Sequence, residues 1–414
     1  MGEHTRPMVA ILRFRHRAHR AARGCLGAGV LALGLTVASC TGETPRGSQS
    51  HSSDETAAGP SYSSIVPIPV VTSTPAASSF ERDVASIQKT MDAAIRGKVV
   101  PGIVVLVRRG PHVRLLARGQ ANVADRVPMT ARDRFRIGSI TKPMVAVIAL
   151  KLVERDVLSL DDTVEQWLPG LVRNGGDTTI EELLNHSSGL PDYVDSPRFL
   201  PLLNGPPVSP RQLVRMATAQ PEIFRPGQGS SYTNTGYVLL GMIIERATHQ
   251  PLATNLRSTV FEPAGMNTSS LAPAGANIEP VAHGYEKGRD VTTPQLTWAW
   301  AAGAVVSDAR DLATFFDRLL NGHLLRADLL SRMQDPNGTP MPDIGYDRYG
   351  LGLAELETPC GTAWGHEGRL PGFVSAAWLD NTVNRQVVVF VNVTNDQLGD
   401  TFESVINTAL CGTE

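Results

Sequence analysis

Apolar positions recur along the chain with two different periods, and the change of period sets out the elements. From Ser79 to about Arg96, Val84, Ile87 and Met91 repeat at helical spacing, which predicts an amphipathic helix. Gly102-Ile-Val-Val-Leu-Val-Arg-Arg-Gly110 and Val113-Arg-Leu-Leu-Ala-Arg-Gly119 then read as two strands around a short turn. A helix opening at Ser139 carries Met144, Val145, Ile148, Ala149 and Leu152, a spacing that predicts burial, with Pro143 near its start where a missing N–H costs least. The middle is helical in flavour: Leu158 to Trp167, Thr179 to Leu184 with Thr179 and Glu182 spaced as a capping box, Pro210 to Ala217, and Thr235 to Ala247. Strands return at Gly372 to Asp380 and Arg385 to Val393, and Thr401 to Leu410 reads as a closing helix. Strands at both ends with helices between predict an α+β fold whose sheet is completed by both ends of the chain. The region at about 155–300 is then a helical insertion.

The first eighty residues follow a different pattern. Residues 1–39 carry six arginines against one glutamate, then the glycine-rich apolar run from Gly24 to Val37, too short for a comfortable membrane span; this reads as an export signal. Val37-Ala-Ser-Cys40 follows at once and resembles the bacterial lipobox, so Cys40 is the expected lipidation site and the outer face of a bacterial membrane the expected location. Residues 40–79 are rich in Ser, Thr, Pro and Gly and read as a tether. A folded domain at 80–414 remains. With the leader's arginines set aside, its charge is negative, so no basic nucleic-acid surface is implied. Of the four cysteines, Cys360 and Cys411 remain in the folded part, either as a disulfide permitted by export or as two separate buried thiols.

Three stretches bear candidate chemistry. In Arg136-Ile-Gly-Ser139-Ile-Thr-Lys142-Pro-Met, the lysine lies one helical turn after the serine, so its amine can return to the hydroxyl. A serine hydroxyl needs such a proton acceptor within about 3 Å to act as a nucleophile. Taken alone, Ser-x-x-Lys is a common chance pattern. In the second stretch, Phe224 to Tyr237, a loop feeds a helix and offers Tyr232 and Asn234; Asn234 also suits a helix N-cap. In the third, Trp364-Gly-His366-Glu-Gly368-Arg-Leu-Pro-Gly372, a histidine between glycines just before or within an edge strand allows close approach of a substrate.

Ser-x-x-Lys, Tyr-x-Asn and His-x-Gly in this order resemble the serine beta-lactamase and penicillin-binding superfamily. Within it the nearest likeness is to class C beta-lactamases, Streptomyces-type D-alanyl-D-alanine carboxypeptidases and related serine esterases. Leu184-Asn-His186-Ser-Ser-Gly189-Leu-Pro and Ala302-Gly-Ala-Val-Val-Ser307-Asp-Ala-Arg-Asp311 extend the resemblance over about 81–411. It implies an α/β sandwich of an antiparallel sheet and flanking helices. It also implies an acyl-enzyme on Ser139, with Lys142 and Tyr232 handling the proton and Asn234 bonding the substrate or the lysine. His366 would take the third motif's part in proton transfer and anion binding. The backbone amides of Ser139 and Arg369 would form the oxyanion hole, and Glu367, Gly368 and Arg369 would line the substrate.

One residue departs from the pattern. Glu367 stands where the carboxypeptidases have a hydroxyl residue, and a carboxylate there would repel a substrate's terminal carboxylate unless Arg369 compensates or Glu367 faces away. The expected function is therefore a serine hydrolase, D-alanyl-D-alanine carboxypeptidase-like on cell-wall peptides. The alternatives are a carboxylesterase or amidase, a class C-like beta-lactamase, or a non-catalytic binding lipoprotein on the same fold. The enzyme is expected to be a monomer that takes a peptidoglycan-like peptide, small ester or beta-lactam. His186, His283 and His366 show no metal-ligand spacing, and there is no phosphate loop; no cofactor is expected.

Overall fold

The computed structural model describes residues 75–272, 282–293, 295–335 and 337–413. The leader, the tether and Cys40 lie outside the described residues.

The first helix, α1, spans Pro75–Arg96, four residues earlier than its apolar repeat predicts. It leads into β1 (Gly102–Arg109) and β2 (His112–Asn122). The C-terminal half supplies β3 (Tyr346–Tyr349), β4 (Ala354–Thr358), β5 (Gly361–Leu370), β6 (Phe373–Asp380) and β7 (Arg385–Val391). A nine-stranded antiparallel sheet joins them in the order β2-β1-β7-β6-β5-β4-β3, with short edge strands Val127–Pro128 and Thr339–Met341 at its two ends. The β1–β7 pair, Ile103 opposite Val391 through Arg109 opposite Arg385, is where the two ends of the domain complete one sheet.

Both faces of this sheet are covered, which explains strands that are apolar at every position rather than at alternate ones. In β1, Ile103, Val105 and Val107 join one buried cluster while Val104 and Leu106 join the other; in β7, Val387, Val389 and Val391 separate from Val388 and Phe390 in the same way. The first cluster packs under α1 and the closing helix, which runs Leu398–Cys411. The second lies under three further helices: α2 (Thr141–Glu154), α3 (Asn234–Thr248) and α4 (Ala309–Leu320); the closing helix is α5. Met144 to Leu150 are buried without a break, as expected for a helix in the middle of a core. Cys360, at the turn into β5, is disulfide-bonded to Cys411 at the end of α5, with Cα atoms 5.4 Å apart.

The structure corrects several sequence expectations. Ser139 does not open α2: it sits in a 3-10 turn, Gly138–Ile140, and the α-helix begins at Thr141. Pro143 thereby falls in the first turn, where its missing N–H is not needed. The segment from Leu158 forms only one helical turn, Val164–Trp167, because Thr163 caps it from a β conformation. The insertion at 155–300 is also less helical than expected, with long loops around 185–209 and 219–233 and short strands at Ser270–Leu271, Tyr285–Glu286 and Arg289–Asp290. The capping box of Thr179 and Glu182 is present.

Candidate active site

The serine turn is wedged between α2 and β5. Gly138 has φ +55°, and a Cβ added to it would lie 2.7 Å from the Arg369 nitrogen and 3.1 Å from the Gly368 carbonyl carbon. Gly368 is equally constrained: its added Cβ would sit 1.8 Å from the Ile137 oxygen. Ser375 in β6 donates from its hydroxyl to that same Ile137 carbonyl at 2.8 Å, tying the turn to the sheet. Only glycines allow these two backbones to touch.

This contact sets the direction of one amide. β5 pairs with β6 along Ala363–Leu370, but with β4 only as far as Gly365, so its outer edge is open from His366 onward. The Glu367 N–H points to that edge, where it donates to the Tyr346 hydroxyl at 3.2 Å. Amides two residues apart on a strand point the same way, so the Arg369 N–H also faces the open edge, beside Gly138. Ser139 is the second residue of a turn whose leading amides have no partner within it. Gly138, next to Ser139, thus stands against the Arg369 amide of the expected oxyanion hole.

Lys142 is fully buried, and its Nζ donates to three acceptors: Ser139 Oγ at 3.0 Å, Asn234 Oδ1 at 2.8 Å and the Ala302 carbonyl at 2.9 Å. Burial pulls the amine from 10.5 down to about 7, against the opposing charge of Asp192. Its Nζ lies 4.8 Å from the centre of the Tyr232 ring, whose phenol is hydrogen-bonded to Ser139. Burial holds that phenol well above its usual range, so Tyr232 is neutral and the Ser139 bond only partly offsets the effect. Ser139 is thus bonded to both the amine and the phenol, and Ser139 and Tyr232 are partly exposed.

Asn234 is the first residue of α3 rather than its cap; Thr233 caps the helix by accepting from the Thr235 N–H. Its amide spans from Lys142 to Asp192, so of the two partners left open for it, the structure shows the lysine.

His366 differs more from expectation. Its ring is fully buried, with Nε2 2.9 Å from the Tyr349 hydroxyl and Nδ1 3.3 Å from the Tyr346 hydroxyl, and Nδ1 also meets the Glu367 carbonyl. Burial, aided by the charge of Lys142, lowers it to about 3. The third-motif histidine is therefore a neutral ring with both nitrogens engaged, not an anion-binding cation. Glu367 and Arg369 stand on the opposite face of β5 from His366: their cross-strand partners Ala376 and Val374 belong to the cluster under α1 and α5, whereas Ala377 opposite His366 belongs to the other. Burial lowers the Arg369 pKa, and Glu367 and Asp396 oppose that shift as its nearby anions.

Several residues were not found from the sequence. Asp192, the Ala302 carbonyl, Tyr237, Tyr346 and Tyr349 belong to loops, helix ends or strands far apart in sequence, and only the fold brings them together. His186 lay within a quoted stretch without a role; it is fully buried at φ +64°, accepts from the Thr233 N–H at 3.3 Å and lies against the Tyr232 ring at 4.3 Å. Its left-handed backbone among aromatic rings is set by tertiary contacts that no local pattern reports.

The chain belongs to the beta-lactamase family, whose model matches residues 87–404, and the family consists of serine hydrolases of the beta-lactamase and penicillin-binding superfamily. Penicillin-binding protein 4* of Bacillus subtilis is 35% identical over 175 residues, 40% of this chain and 38% of the relative. Esterase EstB of Burkholderia gladioli is 34% identical over 215 residues, 47% of this chain and 54% of the relative. The matches therefore span about half or less of these relatives' length. Among solved structures, a D-stereospecific amidohydrolase from Streptomyces sp. superposes with a TM-score of 0.69 at 32% identity, covering 80% of this chain and 99% of that one.

Proposed function

We propose that this protein hydrolyses amide or ester bonds of small D-amino-acid-type acyl groups that lack a free carboxylate beside the scissile bond. The observation that carries the reading is Ser139 bonded to both Lys142 and Tyr232, with an amine near neutrality beside an open strand edge. Lys142 takes the Ser139 proton as Oγ attacks the carbonyl, and the amides of Ser139 and Arg369 hold the oxyanion. Tyr232, close to both, returns a proton to the leaving group. Water then attacks the acyl-enzyme, and the same groups act in reverse.

The restriction on substrate follows from the third motif. A buried neutral His366 with both nitrogens engaged offers neither charge nor a free N–H to a carboxylate. The similarity to a D-stereospecific amidohydrolase and to an esterase supports this reading. We further propose that the domain is exported and held at the membrane through Cys40, on the strength of the apolar leader and lipobox. A second reading, a D-alanyl-D-alanine carboxypeptidase acting on cell-wall peptides, is favoured by that address and by the penicillin-binding relative.

The test compares D-phenylalanine amide, a nitrophenyl ester and a D-Ala-D-Ala-terminated peptide, with Ser139→Ala as control. The amide and ester are expected to turn over, at about tenfold or more higher kcat/KM than the acid, and to lose about 10³-fold or more in the variant. Activity that survives Ser139→Ala refutes the mechanism. Preferential release of D-alanine, with a long-lived benzylpenicillin adduct on Ser139, establishes the second reading.

A further inference from the structure

We propose that Asp192 is a positioning residue for this reaction: acting through Asn234, it orients the Lys142 amine toward Ser139 and sets the pH at which that amine becomes a base. The proposal rests on the reading of Ser139 and Lys142 above and extends it to a residue outside the three motifs.

Asp192 lies in the loop after Gly189, almost wholly buried. Its Oδ2 accepts two bonds from Asn234, from the backbone N–H at 3.1 Å and from Nδ2 at 2.8 Å, and its Oδ1 accepts the Val194 N–H at 3.3 Å. An ionised carboxylate only accepts hydrogen bonds, so it fixes the ambiguous amide of Asn234 with its NH2 end toward Asp192 and its oxygen toward Lys142. Turned the other way, Asn234 would present its NH2 to the lysine amine and lose a bond at each end.

The orientation matters because of the geometry of an amine. A neutral Nζ has two hydrogens and one lone pair. Asn234 Oδ1 and the Ala302 carbonyl, at 2.8 Å and 2.9 Å, are pure acceptors and take the two hydrogens. The lone pair is left for the third neighbour, the Ser139 hydroxyl at 3.0 Å. A lysine lacking the Asn234 acceptor could swing that lone pair away from the serine without losing a bond.

Charge enters by the same route. Lys142 is faced by His186 from the loop after Leu184, His366 from β5, Tyr232 from the preceding loop, Tyr237 from α3 and Asp192. The histidines and tyrosines are held neutral by burial, so Asp192 supplies the opposing negative charge. Burial raises Asp192 itself to about 6, with the Asn234 and Val194 amides pulling it back and Asp195 adding to the rise. Carboxyl and amine are thus joined through one amide, and each charge favours the other.

The experiment measures the rate of single-turnover labelling of Ser139 by a fluorophosphonate, read by peptide mass, across pH for the full-length wild type, Asp192→Asn and Asp192→Ala. Asparagine keeps an oxygen for the Asn234 NH2 but removes the charge. Its plateau rate is expected within about threefold of wild type and its acid limb about half a pH unit or more lower. Alanine removes both, and its plateau is expected to fall about tenfold or more. An acid limb in Asp192→Asn that coincides with wild type overturns the proposal, whether or not the alanine variant folds, because a merely structural aspartate would not move it. A wild-type plateau in folded Asp192→Ala overturns it as well. No labelling of wild-type Ser139 at any pH would instead overturn the reading of the site on which the proposal rests.

Discussion

Replacing Gly138 with alanine tests the contact on which the oxyanion hole depends, and the structure supplies its own control. Gly138 has φ +55° and Gly288 has φ +74°, so alanine at either position takes a left-handed backbone at a cost of about 1–2 kcal/mol. A Cβ at Gly288 meets nothing within 4 Å, so Gly288→Ala should stop at that cost and leave activity unchanged. At Gly138 the Cβ would be 2.7 Å from the Arg369 nitrogen, a strand backbone atom that cannot swing aside like a side chain. Overpacking adds about 1–3 kcal/mol, for a total of about 2–5 kcal/mol. Relief of the clash must push β5 away from the serine turn, and that withdraws the Arg369 amide from the place where charge develops. Loss of one such donor costs about 10²–10³-fold in kcat. Denaturant midpoints and nitrophenyl-ester kinetics of both variants at a temperature where both are folded would separate the terms. A folded Gly138→Ala with kcat/KM within about threefold of wild type would refute the argument that this contact sets the hole.

Lys142→Met should abolish activity, and its stability relative to wild type should depend on pH with a definite sign. The folded-state pKa of about 7 lies below the usual 10.5. Above the higher value the amine is neutral in both states and costs nothing. Between the two, the unfolded chain binds a proton that the folded one lacks, so wild type loses stability as pH falls, and below pH 7 the loss is complete. The stability difference between Met and wild type should thus shift in favour of Met from alkaline to neutral pH, by a limit on the order of 5 kcal/mol, and then level off; a difference independent of pH would rule out the depressed lysine. Labelled palmitate should enter the full-length protein and be lost in Cys40→Ala, and equal labelling of the two would remove the proposed lipid anchor.

The parts of this architecture legible in the sequence were those governed by local periodicity. The two ends of the sheet, the buried α2 and the closing helix all announce themselves through runs such as Ile103 to Val107 and Val387 to Val391, where apolar residues fill consecutive positions because both faces are covered. Ser139 and Lys142 were legible because three residues of helix or turn bring them together whatever the rest of the chain does. The position of the helix start was misread because Gly138 takes a left-handed φ and tightens the approach into a 3-10 turn, a choice made by the contact with Arg369 and not by the turn's own residues. The state of His366 was illegible for a similar reason. Nothing near it in sequence says that Tyr346 and Tyr349, on β3 two strands away in the sheet, will cover both nitrogens.

That burial also explains how a lysine can serve as a base in this site. Lys142 is a buried amine whose loss of charge is opposed by Asp192, behind Asn234. A second cation at the third motif would depress the amine further and would itself have to be desolvated, a cost of several kcal/mol per ion even after relaxation. With His366 held neutral by burial, the amine keeps a proton affinity near neutrality instead of far below it. A base with that affinity accepts the serine proton and gives it up again as Tyr232 passes its own phenolic proton to the leaving group and takes the lysine's in its place, which both halves of an acyl-enzyme cycle require. A substrate carboxylate bound beside the same amine would raise that affinity and keep it protonated. The charge balance of the core and the proposed exclusion of carboxylate substrates therefore have one cause.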